Sequence, residues 1–222
     1  MGKREQEAGG LDWTGEGVPV SRRFDDPYFS LRGGLDETRH VFLAGNGLPA
    51  RLGPGFHVAE LGFGTGLNLM ALAQIAPPGV RFTSFEAFPL TAPEMERAHQ
   101  AFPELAALSA ELRAAEGARR FRLGGVEVEL VIGDARRTLP EWGGKADAWF
   151  LDGFSPARNP ELWSPELMAE IARHTAPGGT FATYSAAGHV RRGLDAAGFD
   201  VARAPGFAGK RHMSRGRLRP RA

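Results

Sequence analysis

Four acidic residues stand where apolar runs give way to glycine or turn residues: Glu60, Glu86, Asp134 and Asp152. The first begins the run Glu60-Leu61-Gly62-Phe63-Gly64-Thr65-Gly66-Leu67-Asn68. Alternating glycines let a backbone turn tightly and come close to a ligand, and a helix that starts after them presents free N–H groups. Glu86 lies 24 residues beyond Gly62, where a carboxylate can accept hydrogen bonds from both hydroxyls of a ribose. Asp134, within Ile132-Gly133-Asp134-Ala135, suits the exocyclic amine of a base or the N-cap of a following helix, and taken alone the cap is favoured. Asp152 directly follows the apolar run 148–151 and precedes Gly153-Phe154-Ser155-Pro156. Position alone divides it evenly between a loop cap and an acid facing a crevice.

Several chemistries are excluded. Leu67 occupies the place of the third glycine in a dinucleotide fingerprint, and no Gly-Lys-Ser/Thr follows to make a phosphate loop. With no cysteine there is no disulfide, thiolate zinc site, iron–sulfur cluster or cysteine nucleophile. The six histidines lack metal-binding spacing, and no G-x-S-x-G elbow is present. No metal is expected.

The acids need elements to hold them, and the hydrophobic pattern supplies these. Strands are expected at His57–Leu61, Val80–Glu86, Arg120–Leu123, Val126–Ile132, Ala146–Leu151 and Thr180–Ser185, with two short ones near Asp200–Ala204 and His212–Arg217. Between them lie helical stretches: Leu67–Ile75, Ala92–Glu116 with a break at Pro103, Ala135–Leu139, Pro165–Ala176 and Gly188–Ala197. Pro177-Gly178-Gly179 reads as the stop of the fourth of these. Such alternation gives a mostly parallel sheet with helices on both faces, and ligands then sit outside the carboxyl ends of the strands.

Residues 1–50 read differently. Residues 1–10 look disordered, and residues 11–50 scatter aromatic residues among Gly, Pro and charges, as a wrapping arm with one short helix at Asp36–Leu43. The expected organisation is therefore an arm over 1–50 packed on a domain over 51–222. The whole is 222 residues with a net charge of +1, Gly 30 and Pro 16, which is turn-rich but ordinary for one globular unit. The longest uncharged stretch, Leu61–Val80, is interrupted by glycines, prolines, Asn68 and Gln74, so no membrane span is expected. The polar amino terminus has no apolar segment, and a cytoplasmic location is expected. From Lys210 to Ala222 there are six Lys/Arg, one His and no acid, a tail that can hold phosphates or simply be solvated.

Glu-Leu-Gly-x-Gly-x-Gly and acids after the next strands resemble the class I S-adenosylmethionine-dependent methyltransferases. Longer motifs narrow the resemblance: 24–30 (FDDPYFS), 34–43 (GLDETRHVFL), 45–49 (GNGLP), 60–68 (ELGFGTGLN), 147–163 (DAWFLDGFSPARNPELW), 177–194 (PGGTFATYSAAGHVRRGL) and 206–213 (GFAGKRHM). Over roughly residues 11–217 the chain resembles the methyltransferase part of the MnmC family. These proteins form 5-methylaminomethyl-2-thiouridine at the wobble position of tRNA. The resemblance implies a Rossmann-like sheet of seven strands, S-adenosyl-L-methionine as methyl donor, and the aminomethyl group of wobble uridine 34 as substrate. The bifunctional members carry a flavin-dependent oxidase as well. At this length a methyltransferase-only form without FAD is expected, and a monomer.

By the same resemblance Asp152 is the catalytic acid that orients the amine and takes its proton. Gly62, Gly64 and Gly66 cradle the methionine part of the cofactor, Glu86 the ribose and Asp134 the adenine side, and Glu60 and Asn68 are further cofactor-binding residues. Phe154 and Pro156 hold the flipped uracil, and Tyr28 and Phe29 close the pocket. Arg158, Arg191, Arg192, Lys210 and Arg211 are candidate phosphate contacts. Methyl transfer from an activated donor leaves the protein mainly proximity and orientation to supply, worth about 7–11 kcal/mol in favourable cases. Three other readings remain open: a methyltransferase for another amine, a non-catalytic tRNA-binding module, and a nicotinamide-dependent oxidoreductase, which Leu67 disfavours.

Overall fold

The computed structural model describes residues 10–30 and 33–220. Apart from Gly10, the disorder expected over residues 1–10 falls outside the described residues. Residues 11–27 are more regular than the expected arm. β1 (Leu11–Trp13), β2 (Pro19–Ser21) and β3 (Asp26–Pro27) form a small antiparallel sheet. The expected helix at Asp36–Leu43 is split: α1 (Gly34–Thr38) runs into a wider π turn over Arg39–Leu43 and a 3-10 turn over Ala44–Asn46.

The rest alternates as the pattern predicts. In order come β4 (His57–Leu61), α2 (Leu67–Ala73), β5 (Val80–Glu86), α3 (Ala92–His99), α4 (Ala106–Ala114), β6 (Arg120–Leu123), β7 (Val126–Ile132), α5 (Ala135–Glu141), β8 (Ala146–Leu151), α6 (Pro165–Arg173), β9 (Thr175–Thr183), α7 (Gly188–Ala196), β10 (Phe199–Pro205) and β11 (His212–Leu218). The long stretch from Ala92 breaks at Pro103, as expected, where a 3-10 turn separates α3 from α4.

The large sheet has the order β10-β11-β9-β8-β4-β5-β7-β6. That is eight strands, not seven: the eighth is β6, the hairpin partner of β7, which prolongs one edge. The five central strands are mutually parallel, while the pairs at both edges are antiparallel. Pro177-Gly178-Gly179 does not end a helix outside the sheet; it lies inside β9. Ala146 pairs with Thr175 and Ala148 with Thr180, so the residues between bulge out of the ladder. A β-carbon on Gly179 would lie 2.6 Å from Thr175 Cγ2 and 3.0 Å from the Ala146 carbonyl oxygen, which is why the bulge holds glycine.

Side chains alternate across the sheet with period two. Val58, Phe82, Ala148 and Phe150 enter one apolar cluster with Leu69, Met70 and Leu72 of α2 and Leu112 of α4. Ala59, Leu61, Phe85, Trp149 and Leu151 enter the other, against Leu139, Leu167, Ile171, Val190 and Leu194 of α5, α6 and α7. Leu35, Val41, Phe42 and Leu43 belong to the first cluster. Among the described residues no helix is long and apolar enough to cross a membrane.

Leu35 is 3% exposed, so the amino-terminal segment contributes to the core itself. Leu35→Ala should lower unfolding stability by about 2–5 kcal/mol, read from the urea midpoint at constant slope. A loss below about 1 kcal/mol would mean that α1 only rests on the surface.

Candidate active site

β4 and β8 pair in parallel with Leu61 opposite Leu151. After β4 the chain builds outward to β5 and β7, then returns to lay β8 on the other side of β4. The turns after β4 and β8 therefore emerge side by side at the point where the strand order reverses, where an open α/β sheet forms its crevice. They touch. Gly62 has φ 82, and a β-carbon there would lie 3.2 Å from Gly153 Cα. Gly64, with φ 53, would aim a β-carbon at Tyr28, 3.1 Å from Cδ1. Gly66, with φ 75, caps α2 and would meet Leu112 Cδ2 at 2.7 Å.

The crevice opens into a cavity of about 610 Å³, within the size range of small-molecule sites. Of the residues expected from sequence, Gly62, Gly64, Asn68, Glu86, Asp134, Asp152, Tyr28, Phe29, Phe154 and Lys210 line it. Five do not. Glu60 is fully buried beneath it, and Gly66 lies behind its wall at the helix start. Pro156 is half-buried behind the lining, Arg158 points outward to an ion pair with Asp25 at 3.0 Å, and Arg211 is exposed.

The acids differ in environment. Glu86 accepts from Gly64 N at 3.0 Å and from Phe88 N at 2.6 Å, so it already fixes the glycine turn. Asp134 is an N-cap, as favoured from sequence, accepting from Arg136 N at 2.9 Å. It also holds the Arg136 guanidinium at 2.6–3.0 Å, and these hydrogen bonds keep its carboxyl below the usual range. Asp152 Oδ1 accepts from Gly153 N and Oδ2 from Asn68 Nδ2, both at 2.8 Å. Burial nevertheless pushes its pKa up to about 6, with the nearby Glu37 adding to the rise and Lys210 opposing it.

The amino-terminal segment and the β10–β11 loop close the opposite wall. Lys210 Nζ donates to Glu37 Oε1 at 2.6 Å and to Ser30 Oγ at 3.3 Å, and Ser30 Oγ donates to Glu37 Oε2. Asp26 Oδ2 accepts from Ser155 N at 2.7 Å, tying β3 to the turn after β8. Tyr184, just past β9, donates to the Gly153 carbonyl at 2.7 Å. At the mouth, Phe24 stacks on Phe154 with centroids 4.7 Å apart, and Tyr28 meets Phe154 edge-on at 5.0 Å. Among the described residues, six acids line the cavity, Asp26, Glu37, Glu86, Asp134, Asp152 and Glu161, against Arg23, Arg136 and Lys210. That excess of negative charge favours a cationic ligand.

Sequence reading missed Phe24, Asp26, Glu37, Arg136 and Tyr184. Tyr184 follows the carboxyl end of a central strand, so the rule that exposed the four acids would have found it. Arg136 is held locally by Asp134 two residues before it, whereas Phe24, Asp26 and Glu37 reach the cavity through tertiary packing.

The strand order and the switch-point cavity define a Rossmann-like open α/β protein of the nucleotide-binding class. A family model described as S-adenosyl-L-methionine-dependent methyltransferase matches residues 98–219, and the chain belongs to that family. The chain is 48% identical over 221 residues to the tRNA 5-methylaminomethyl-2-thiouridine biosynthesis bifunctional protein MnmC of Pseudomonas paraeruginosa, covering 91% of this chain and 34% of that protein. It is also 48% identical over 226 residues to the protein of the same name from Ectopseudomonas mendocina, covering 93% and 34%. The chain thus spans about a third of the length of these relatives. In structure it is similar to MNMC2 from Aquifex aeolicus, with TM-score 0.75 at 24% identity over 96% of this chain and 72% of that one. It shares the fold of the precorrin-6y C5,15-methyltransferase of Geobacter metallireducens, with TM-score 0.54 at 12% identity over 91% and 93%.

The glycine turn fits a ligand that lies against backbone: Gly64 carries its hydrogen where a side chain would close the gap to Tyr28. Gly64→Ala should weaken S-adenosyl-L-methionine binding at least tenfold, about 1.4 kcal/mol, by calorimetry on folded protein. Unchanged affinity would move the ligand away from this turn.

Proposed function

We propose that the chain methylates the aminomethyl group of 5-aminomethyl-(2-thio)uridine at wobble position 34 of tRNA, with S-adenosyl-L-methionine as donor. The observation that carries this reading is Asp152: a carboxylate at the switch point, beside the glycine turn and under an aromatic rim, with a pKa raised to about 6. The names of relatives at 48% identity supply the substrate class.

When bound, S-adenosyl-L-methionine supplies a methyl group on a positively charged sulfur. The chain's residues do the rest. Gly62 and Gly64 let the methionine part lie against backbone, Glu86 takes the ribose hydroxyls, and Asp134 borders the adenine. Asp152 accepts a hydrogen bond from the neutral amine, keeps its lone pair aimed, and takes the proton released as the nitrogen gains its fourth bond. The rings of Phe154, Phe24 and Tyr28 form the apolar face against which an unstacked uracil would rest. Arg158, Arg192 and Arg211 are exposed and Arg191 is half-buried; with Lys210 they are offered as the phosphate contacts. The protein works in this reading as a soluble cytoplasmic enzyme.

The decisive assay is transfer of labelled methyl to tRNA carrying 5-aminomethyluridine and to tRNA lacking it. Label in the first alone, mapped to position 34, establishes the reading; label in neither, with donor still bound, sinks it. Asp152 is the base only when ionised, so kcat/KM should show an acidic limb that breaks at about pH 6, separate from the rise at higher pH as the substrate amine loses its proton. Asp152→Asn should cost about a hundredfold or more and remove that limb. An unchanged limb in the variant would exclude Asp152 as its source. With about four phosphate contacts, tRNA affinity should fall roughly a hundredfold between ~50 and ~200 mM salt; a flat salt dependence would remove the basic residues from the interface.

A further inference from the structure

Beneath the cavity, buried side chains form a hydrogen-bonded chain that starts in the amino-terminal segment. Thr38 of α1 donates from Oγ1 to Asn68 Oδ1 at 2.9 Å. Asn68 Nδ2 donates to Glu60 Oε1 at 2.9 Å and to Asp152 Oδ2 at 2.8 Å. Ser84 Oγ donates to Glu60 Oε2 at 2.6 Å. Thr38, Asn68, Glu60 and Ser84 are each no more than 5% exposed. Strand parity explains the meeting: Glu60, Ser84 and Asp152 follow Val58, Phe82 and Phe150 by two residues, on the face that α2 covers. Glu60 and Ser84 are also register partners.

An amide has two unlike ends. Two carboxyl groups both need donors from Asn68, so its amine end faces them and both its hydrogens are spent. Its oxygen then needs a donor, and the Thr38 hydroxyl supplies it.

Thr38 also borders the cavity, and the hydrogen bond recorded for its hydroxyl is the one to Asn68.

We propose that Asn68, oriented by Thr38, is a positioning residue for Asp152: it holds Oδ2 while the Gly153 amide holds Oδ1, so the carboxylate keeps one orientation at the cavity wall. On this view α1 is part of the catalytic apparatus and not only a cover. The inference rests on the reading of Asp152 as the group that takes the amine proton.

The other groups around Asp152 are Glu37 from α1, Lys210 from the β10–β11 loop, Glu60 from β4 and Tyr184 past β9. Glu37 raises the Asp152 pKa and Lys210 lowers it. The Asn68 hydrogen bond favours the charged form, so losing it moves the titration upward.

The test is a carbon-13 NMR titration of the Asp152 carboxyl in the full chain without cofactor or tRNA, assigned with Asp152→Asn. Asn68→Ala should move the midpoint up by about one unit, the size of one hydrogen bond to a carboxylate. Thr38→Val should move it in the same direction by less, and Thr38→Ser should restore it. In methyl-transfer assays the acidic limb should move with the titration, while the KM for S-adenosyl-L-methionine of Thr38→Val stays within about twofold. Should Asn68→Ala fail to fold, the near-isosteric Thr38→Val carries the test. Wild-type midpoints in the folded variants overturn the inference. A shifted midpoint in a protein that methylates no tRNA upholds the positioning and overturns only the substrate.

Discussion

The parallel pairing of β4 with β8 is the constraint on which the site depends. It sets Leu61 opposite Leu151, so one register decides that the glycine turn and the Asp152 turn leave the sheet together. A β-carbon on Gly62 would press on Gly153 Cα at 3.2 Å, and one on Gly153 would collide with Leu162, so both turns keep glycine. A slip of one residue would send each side chain of β8 to the opposite face. Asp152 would then join the Trp149 and Leu151 side, against α5 to α7, and lose Asn68.

A second consequence follows from the same alternation. Glu60 is a carboxyl with no exposure, and burial holds its pKa well above the usual range. Such a group is tolerated only when its hydrogen bonds are made. Ser84 across the β4–β5 ladder and Asn68 on α2 make them. Asn68 then links a buried acid to a cavity acid, and Thr38 extends the link to α1. The amino-terminal segment is thereby tied in by polar bonds as well as by Leu35, Val41 and Phe42 in the core.

Much of this was legible in the sequence, for physical reasons. The four acids were visible because each stands where an apolar strand meets a glycine or turn, and an open α/β sheet places its ligands there. The hairpin at Gly124-Gly125 was equally local. What escaped was decided between distant segments. The Asp-Glu-Thr run at 36–38 looks like solvated helix, yet Glu37 and Thr38 are buried because α1 packs beside α2. The Pro177-Gly178-Gly179 stretch reads as a stop, but the sheet absorbs it as a bulge because Ala146 and Ala148 still find partners on either side. Pro156 and Arg158 belong to a motif that forms the right turn, yet they face away from its hollow.

The charge pattern fits a reaction between two unlike partners. Inside, acids outnumber bases, which suits a sulfonium and an amine. A polyanionic substrate would be repelled by those same acids if they governed the approach. Of the six, Glu161 alone lies open: Glu37 and Glu86 are buried, and Asp26, Asp134 and Asp152 are half-buried. The exposed charged residues of the cavity lining are the cations Arg23, Arg136 and Lys210 and one acid, Glu161, which Arg136 holds at 2.9 Å. At physiological salt, interactions between exposed charges fade beyond about 8 Å. A phosphate backbone at the rim would therefore meet mainly these cations, while only the base passing the Phe24–Phe154 ring pair would meet the acidic interior. On the proposed function this separation would depend on the amino-terminal segment, because Arg23, Phe24 and Glu37 all come from it; the piece that looks least like an enzyme in sequence would sort the two partners.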